Sequence, residues 1–328
     1  MKEEKNRSSF SDSLPWILFL TAALYLFLSS FATAGVYGLI RLLERLWDTS
    51  PAVTFINMNY TVTAGSVIVL AIVCSVVRKN RFILRSFLPR GAGKNHKIKV
   101  VEDTYRPSQE NTPGKLLLGM FIGFLTNSAC ILCAMIHGDL RFSLHFSFSM
   151  IPVLIYALLM VFVQSSSEEL WCRGFMYERI CIRYPLLAAA AVNGLFFGGL
   201  HLFNENVSVL AMADLIISGI SYSLVRWYTG SIWTVMGIHT MWNFTQNFLF
   251  GLPNSGLVSQ VSLLRLDASA GTSSLVYDCG FGVEGALPAV IADCLLGVSV
   301  LILAKKKGRL GELKMSYAGR EKEMMGKR

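Results

Sequence analysis

The sequence predicts an all-α, polytopic integral membrane bundle of about eight transmembrane helices, and three observations predict it. Of the 328 residues, 53% are apolar and only 16% are charged, whereas a soluble domain carries roughly 25% charged residues. The mean hydropathy is positive. The apolar residues are also gathered into long runs, and a hydrocarbon core takes about 20 residues of helix to cross.

Eight such runs lie at about 14–42, 55–77, 116–136, 146–180, 185–204, 206–227, 231–251 and 286–304. The first continues towards another span with no A-x-A-like cleavage site, so it is expected to be a retained helix rather than a signal peptide. The fourth is too long for one crossing. It either stops near Gln164 or continues through "ELWCRGFMYERI" to about Ile180, starting later at its outer end or kinking near Pro152.

Lys and Arg set the orientation. Residues 78–115 hold ten basic residues against three acids, and the tail from Lys305 holds nine against three. Arg179 and Arg183 follow the fourth span. With eight spans, all three segments and both termini fall on the cytoplasmic side. The stretch 252–285 on the opposite side has Arg265 alone. The net charge of +9 is then topology plus affinity for anionic lipid. "RFILRSFL" is expected to lie flat at the headgroups. No basic stripe alternates with aromatics, so a nucleic-acid partner is not expected. A compact chain without an ER retrieval tail points to a bacterial plasma membrane.

No internal repeat or second soluble domain is visible. Three segments are expected: 1–145, a transmembrane scaffold with a basic cytoplasmic loop; 146–251, a catalytic core; and 252–328, an outer loop, the last helix and a basic tail. The seven cysteines form no disulfide framework. Cys74, Cys130, Cys133, Cys172, Cys181 and Cys294 lie in or beside apolar helices as expected packing residues, and Cys279 falls in the outer loop. Cys130-x-x-Cys133 lacks a second ligand pair.

Ionisable residues concentrate in spans four, five and seven, which localises the chemistry. In "FVQSSSEELWCRGF", Glu169 and Arg173 are four apart, acid first, the favourable order for a helical ion pair. Glu168 is turned about 100° away and is left without an evident intrahelical partner, which makes it the candidate base. Span five ends in "NGLFFGGLHLFN", where Phe197 can pack beneath His201 and Gly194, Gly198 and Gly199 allow close helix approach. Span seven contains "GIHTMWNF", which projects His239 and Asn243 from one face. If span four continues to Ile180, Glu168, His201, His239 and Asn243 lie about 18, 24, 13 and 20 Å from their inner ends at ~1.5 Å per residue. Those depths are close enough to meet once helices tilt.

E-E-x-x-x-R (Glu168, Glu169, Arg173), F-x-x-x-H (Phe197, His201) and H-x-x-x-N (His239, Asn243), in that order on successive helices, resemble the CPBP intramembrane proteases. These are the type II CAAX prenyl endopeptidases and their bacteriocin-processing relatives. The resemblance covers roughly 150–250. It implies an active site within the bilayer, with Glu168 and His201 activating water. His239 and Asn243 would stabilise the oxyanion, while Glu169, Arg173 and Phe197 support the site. It also implies a membrane-associated substrate, either a CAAX-type prenylated peptide or protein or a bacteriocin leader. No cofactor is certain. A metal-dependent version would place zinc on Glu168, His201 and His239, since three N/O ligands plus water make a catalytic set. Without metal, the carboxylate serves as base and Asn243 as oxyanion donor.

Other protease chemistries fit poorly. There is no H-E-x-x-H or G-x-S-x-G, and "YDCGFGVEG" lies in the outer loop without a second membrane aspartate. Intramembrane carboxylates and histidines also build ion pathways, but related halves with broken helices are not visible. A non-catalytic scaffold is the third alternative. Asp214 and Asn193 are expected to cap or bridge helices.

Overall fold

The computed structural model describes residues 13–47, 49–76, 87–90, 110–143, 148–269 and 273–317. Most of the basic stretch 78–115, including nearly all of "RFILRSFL", and the end of the tail lie outside the described residues, with the expectations placed on them.

Each of the eight apolar runs is a helix. They are α1 (Leu14–Leu46), α2 (Pro51–Val76), α3 (Pro113–His137), α4 (Phe148–Arg183), α5 (Leu186–Leu200), α6 (Val209–Thr229), α7 (232–249) and α8 (Leu287–Lys306). Among the described residues, six are long and apolar enough to cross a membrane: α1 to α4, α6 and α8. α5 is apolar but only 15 residues long, and α7 carries the polar His239 and Asn243. The fold is an all-α polytopic membrane bundle.

Helix ends follow local chemistry. Thr112 Oγ1 accepts from Lys115 N at 3.3 Å ahead of Pro113, and Ser208 Oγ accepts from Ala211 N at 3.1 Å. Both satisfy a backbone donor that the first turn leaves open. α3 and α6 stop at Gly138 and Gly230, which sit at φ 94° and 64°, backbone that glycine adopts without a Cβ penalty.

α4 takes the longer of the two paths open to it. A 3₁₀ turn at Phe148–Met150 precedes the α-helix at Ile151, so the helix starts later than the hydropathy suggests. Pro152 sits in its first turn, where a missing N–H costs nothing, and no kink is needed. The helix then runs to Arg183 through a π-helical turn, Leu170–Met176.

α5 ends sooner than expected, and His201 falls on the turn behind it. The loop between α7 and α8 is not purely irregular. Its strand β2 (Arg265–Ala268) pairs antiparallel with β1 (Leu140–Ser143), Leu140 opposite Ala268.

Two close contacts hold the helices that carry the motifs. Gly119 and Gly123 of α3 press on the Thr234 and Ile238 carbonyls of α7; a Cβ on Gly123 would stand 2.2 Å from the Ile238 oxygen. On α5, Gly194 lies against Gly219 of α6, whose Cβ would meet the Gly194 Cα at 2.6 Å. Gly198 also packs on α6, through Ile216 and Met212, but Gly199 faces open space and takes no part in helix approach. Asn193 bridges helices as expected, donating to the Cys172 carbonyl at 2.6 Å and accepting from Ser223 Oγ at 3.2 Å. Cys133 and Cys294 are exposed, not packed inside, whereas Cys74, Cys130, Cys172 and Cys181 are buried.

Overpacking a filled contact costs about 1–3 kcal/mol. Gly123→Ala should therefore lower the thermal midpoint and monodisperse yield of the detergent-purified protein, and Gly199→Ala should leave both unchanged. Equal midpoints for the two variants would show that α3 and α7 are not in this contact.

Candidate active site

The site grows from one buried oxygen. Glu169 and Arg173 are fully buried, and Arg173 Nη1 donates to Glu169 Oε1 at 2.9 Å. His239 Nδ1 reaches the same Oε1 at 2.9 Å. An ionised carboxylate can only accept, so Nδ1 carries the proton and Nε2 is left for the cavity. The Arg173 guanidinium is covered by the Phe197 ring at 4.5 Å and faces Tyr222 at 5.5 Å. Charge pairing and aromatic faces together make its burial tolerable. One acid thus ties α4 to α7, and one cation ties α4 to α5 and α6.

Glu168 does have an intrahelical partner, contrary to expectation. Gln164, one turn earlier, donates its Nε2 to Glu168 Oε1 at 2.5 Å. The i−4 spacing was present in "QSSSEE", but an amide draws less notice than a cation. Glu168 Oε2 is buried without a hydrogen bond and lies 3.8 Å from His239 Nε2. That oxygen has no hydrogen-bond donor on it.

His201 Nδ1 bonds the Phe197 carbonyl at 2.8 Å, which leaves Nε2 free, and the Phe197 ring lies 4.8 Å from the imidazole. Asn243 donates Nδ2 to Gln164 Oε1 at 3.2 Å and accepts at Oδ1 from Asn254 at 3.3 Å. Glu168, His201, His239 and Asn243 all line one cavity of about 480 Å³. α1 and α2, expected to be scaffold alone, supply Tyr25, Tyr60 and Thr63 to its wall. Of the three π-helical turns among the described residues, Leu24–Leu28 contains the cavity residue Tyr25, and Leu170–Met176 and Thr245–Leu249 each begin two residues after one, Glu168 and Asn243. Such turns are frequent at functional sites because they re-aim side chains within a helix.

The segment 252–285 contributes residues that sequence reasoning missed. Asn254 and Ser255 line the cavity, and Glu284 receives hydrogen bonds from both. Glu284 belongs to "YDCGFGVEG". Asp278 of that run only closes its own turn, accepting from the Gly280 and Phe281 amides at 2.8 Å. Burial pushes the Glu284 carboxyl up to about 7, against the pull of its Ser255 donors. Asp214 is deeply buried with Oδ1 unbonded; it lines a second, much smaller cavity with His201, His239, Glu284 and Asp293.

Among the described residues, no three His, Cys, Asp or Glu side chains cluster closely enough to hold a metal ion. Glu168, His201 and His239 line one cavity without being drawn together as such a cluster.

Fold and cavity together define a polytopic helical membrane protein with a polar, acid-containing pocket between its helices. Residues 149–245 match the family described as type II CAAX prenyl endopeptidase Rce1-like. All three motifs fall inside that match, which spans under a third of the chain and supports the resemblance to the CPBP family. The family implies protease activity in general and a membrane-associated peptide substrate. No curated protein matches the chain.

Removing one partner of a buried ion pair costs about 3–5 kcal/mol. Arg173→Ala and Glu169→Gln should therefore cut folded yield sharply in size-exclusion profiles, while Glu168→Gln, whose acid has no Lys or Arg partner among the described residues, should keep wild-type yield. The reverse order of yields would contradict the division between the two acids.

Proposed function

We propose that the protein is an intramembrane endopeptidase that hydrolyses a peptide bond of a membrane-associated substrate. The family match favours a CAAX-type prenylated peptide over a bacteriocin-type leader. The observation that carries the mechanism is the unpartnered Glu168 Oε2 in a cavity shared with His201, His239 and Asn243.

Glu168 Oε2 takes a proton from a water that His201 Nε2 helps to orient, and the water oxygen attacks the scissile carbonyl. Negative charge develops on the carbonyl oxygen, where an Asn243 N–H, exchanging its bond to Ser165 Oγ, and His239 protonated at Nε2 as well as Nδ1 stabilise it. Collapse of the tetrahedral intermediate breaks the C–N bond, and Glu168 returns the proton to the leaving amine. The base must be free to accept, and its second oxygen is already held by Gln164. Glu169 and Arg173 supply no proton; they keep the His239 ring in register. No step is routed through a metal. The Lys and Arg bias supports a cytoplasmic side for the basic segments and both termini.

Loss of a general base costs about 10²–10⁴ in rate, and loss of an oxyanion donor about 10²–10³. With purified protein in liposomes and an internally quenched, farnesylated CAAX-type peptide, Glu168→Gln and His201→Ala should abolish turnover, and Asn243→Ala should reduce it by about a hundredfold or more. Wild-type turnover in Glu168→Gln would end the assignment. Comparison of membrane peptides from cells with wild-type and Glu168→Ala protein identifies the natural substrate.

Chelation separates the two chemistries. Turnover should persist after exhaustive treatment with a chelator, and metal analysis of active protein should find well under one zinc per chain. Activity lost on chelation and restored by zinc would overturn the metal-free mechanism.

A further inference from the structure

The segment 252–285 lies outside the family match, yet it connects to both ends of the proposed machinery through side-chain amides. Asn254 Nδ2 donates to Glu284 Oε1 at 3.1 Å and to Asn243 Oδ1 at 3.3 Å. Asn243 Nδ2 donates to Gln164 Oε1 at 3.2 Å, and Gln164 Nε2 donates to Glu168 Oε1 at 2.5 Å. Three amides thus join one carboxylate to another in an unbroken sequence.

The direction of this sequence is forced. Glu284 Oε1 accepts from the Ser255 backbone N–H, which can only donate, so this oxygen is an acceptor whether or not the carboxyl is protonated, and it obliges Asn254 to present its N–H₂. That group then obliges Asn243 to present Oδ1 to it. A flipped Asn243 would set N–H₂ against N–H₂ on one side and oxygen against Gln164 Oε1 on the other. The orientation that remains points the Asn243 donors away from the loop, onto Gln164 Oε1 and Ser165 Oγ of α4 at the cavity wall, where an oxyanion could take the place of the longer bond.

Asn254 is itself held rigidly. It pairs with Leu257 through two backbone hydrogen bonds of 2.8 Å, and Ser255 and Gly256 between them have φ 48° and 93°. Two successive positive φ values make the tight hairpin turn whose twist suits a short loop. Ser255 N and Oγ both donate to Glu284 Oε1. The base of the hairpin hangs on α7: Asn247 Nδ2 donates to the Leu252 and Leu257 carbonyls at 3.0 and 2.8 Å, and Gln246 donates to the Pro253 carbonyl.

We propose that Asn254 and Glu284, acting through Asn243 and Gln164, are positioning residues that fix the oxyanion-donating amide and the base relative to one another. The inference rests on the endopeptidase reading. In such a network the links depend on one another, which a double-mutant cycle exposes.

The test uses the full chain in liposomes and the same quenched farnesylated peptide. Asn254→Ala and Glu284→Ala should lower kcat about ten- to a hundredfold, within the loss expected for an oxyanion donor, with KM changed less than about threefold. Glu284→Gln keeps an acceptor oxygen and should recover most of the kcat lost in Glu284→Ala. Added to Asn243→Ala, Asn254→Ala should cost less than about twofold more. Should Asn254→Ala not fold, the Glu284→Ala and Glu284→Gln pair reads the same chain from its far end. The inference is overturned if the Asn254 and Asn243 effects multiply independently, if only KM moves, or if Glu284→Gln is as impaired as Glu284→Ala. A Glu168→Gln control that turns over, or a wild-type protein that leaves the peptide uncut, overturns the endopeptidase reading and this inference with it. An inactive control beside an unimpaired Asn254→Ala overturns this inference alone.

Discussion

Glu169 Oε1 is the oxygen on which the rest of the site depends. It accepts from Arg173 Nη1 and His239 Nδ1, each at 2.9 Å. Without the arginine, a carboxylate at the centre of an apolar bundle would carry an uncompensated charge. Without the carboxylate, the guanidinium would be stranded between Phe197 and Tyr222. The arrangement also selects the tautomer of His239, because Nδ1 must donate. Fold and chemistry therefore meet at one atom: the pairing that lets α4 carry charge into the bundle also turns the imidazole towards Glu168.

Two adjacent acids on one helix acquire different roles from this geometry. A rotation of about 100° per residue sends Glu169 inward to a cation and Glu168 to the cavity wall. Gln164 holds one oxygen of Glu168 and leaves the other free. The neighbouring Ser165, Ser166 and Ser167 are buried as well, so the middle of α4 is polar on several faces. The glycine contacts of α3 with α7 and of α5 with α6 then set the depth at which His239 and His201 meet it.

Much of this was legible in the sequence because it is local. Glu169 with Arg173, Phe197 with His201 and His239 with Asn243 are each four residues apart, and helical spacing alone places each pair on a face. The extension of α4 past Gln164 to about Ile180 was legible too, since only that path brings Glu168 to the depth of the histidines. Gln164 was legible by the same spacing and was passed over. Asn254, Glu284 and Tyr25 were not legible. Asn254 reaches Glu284 across 30 positions in chain order, and a tight turn rather than a periodic element presents it. The π-helical turns also escape a reading that assumes 3.6 residues per turn, and the early end of α5 turned a helical His201 into a residue on a turn.

The central claim is convergence: side chains from α4, α7 and the turn after α5 share one polar pocket with an acid whose second oxygen is free. An experimental density map of the wild-type protein in lipid nanodiscs, at a resolution that shows ordered water, tests it most directly. Convergence predicts Glu169 bonded to both Arg173 and His239, with water in the pocket touching Glu168 Oε2. Glu168 or His239 facing acyl chains, or a dry pocket with the two apart, would contradict it.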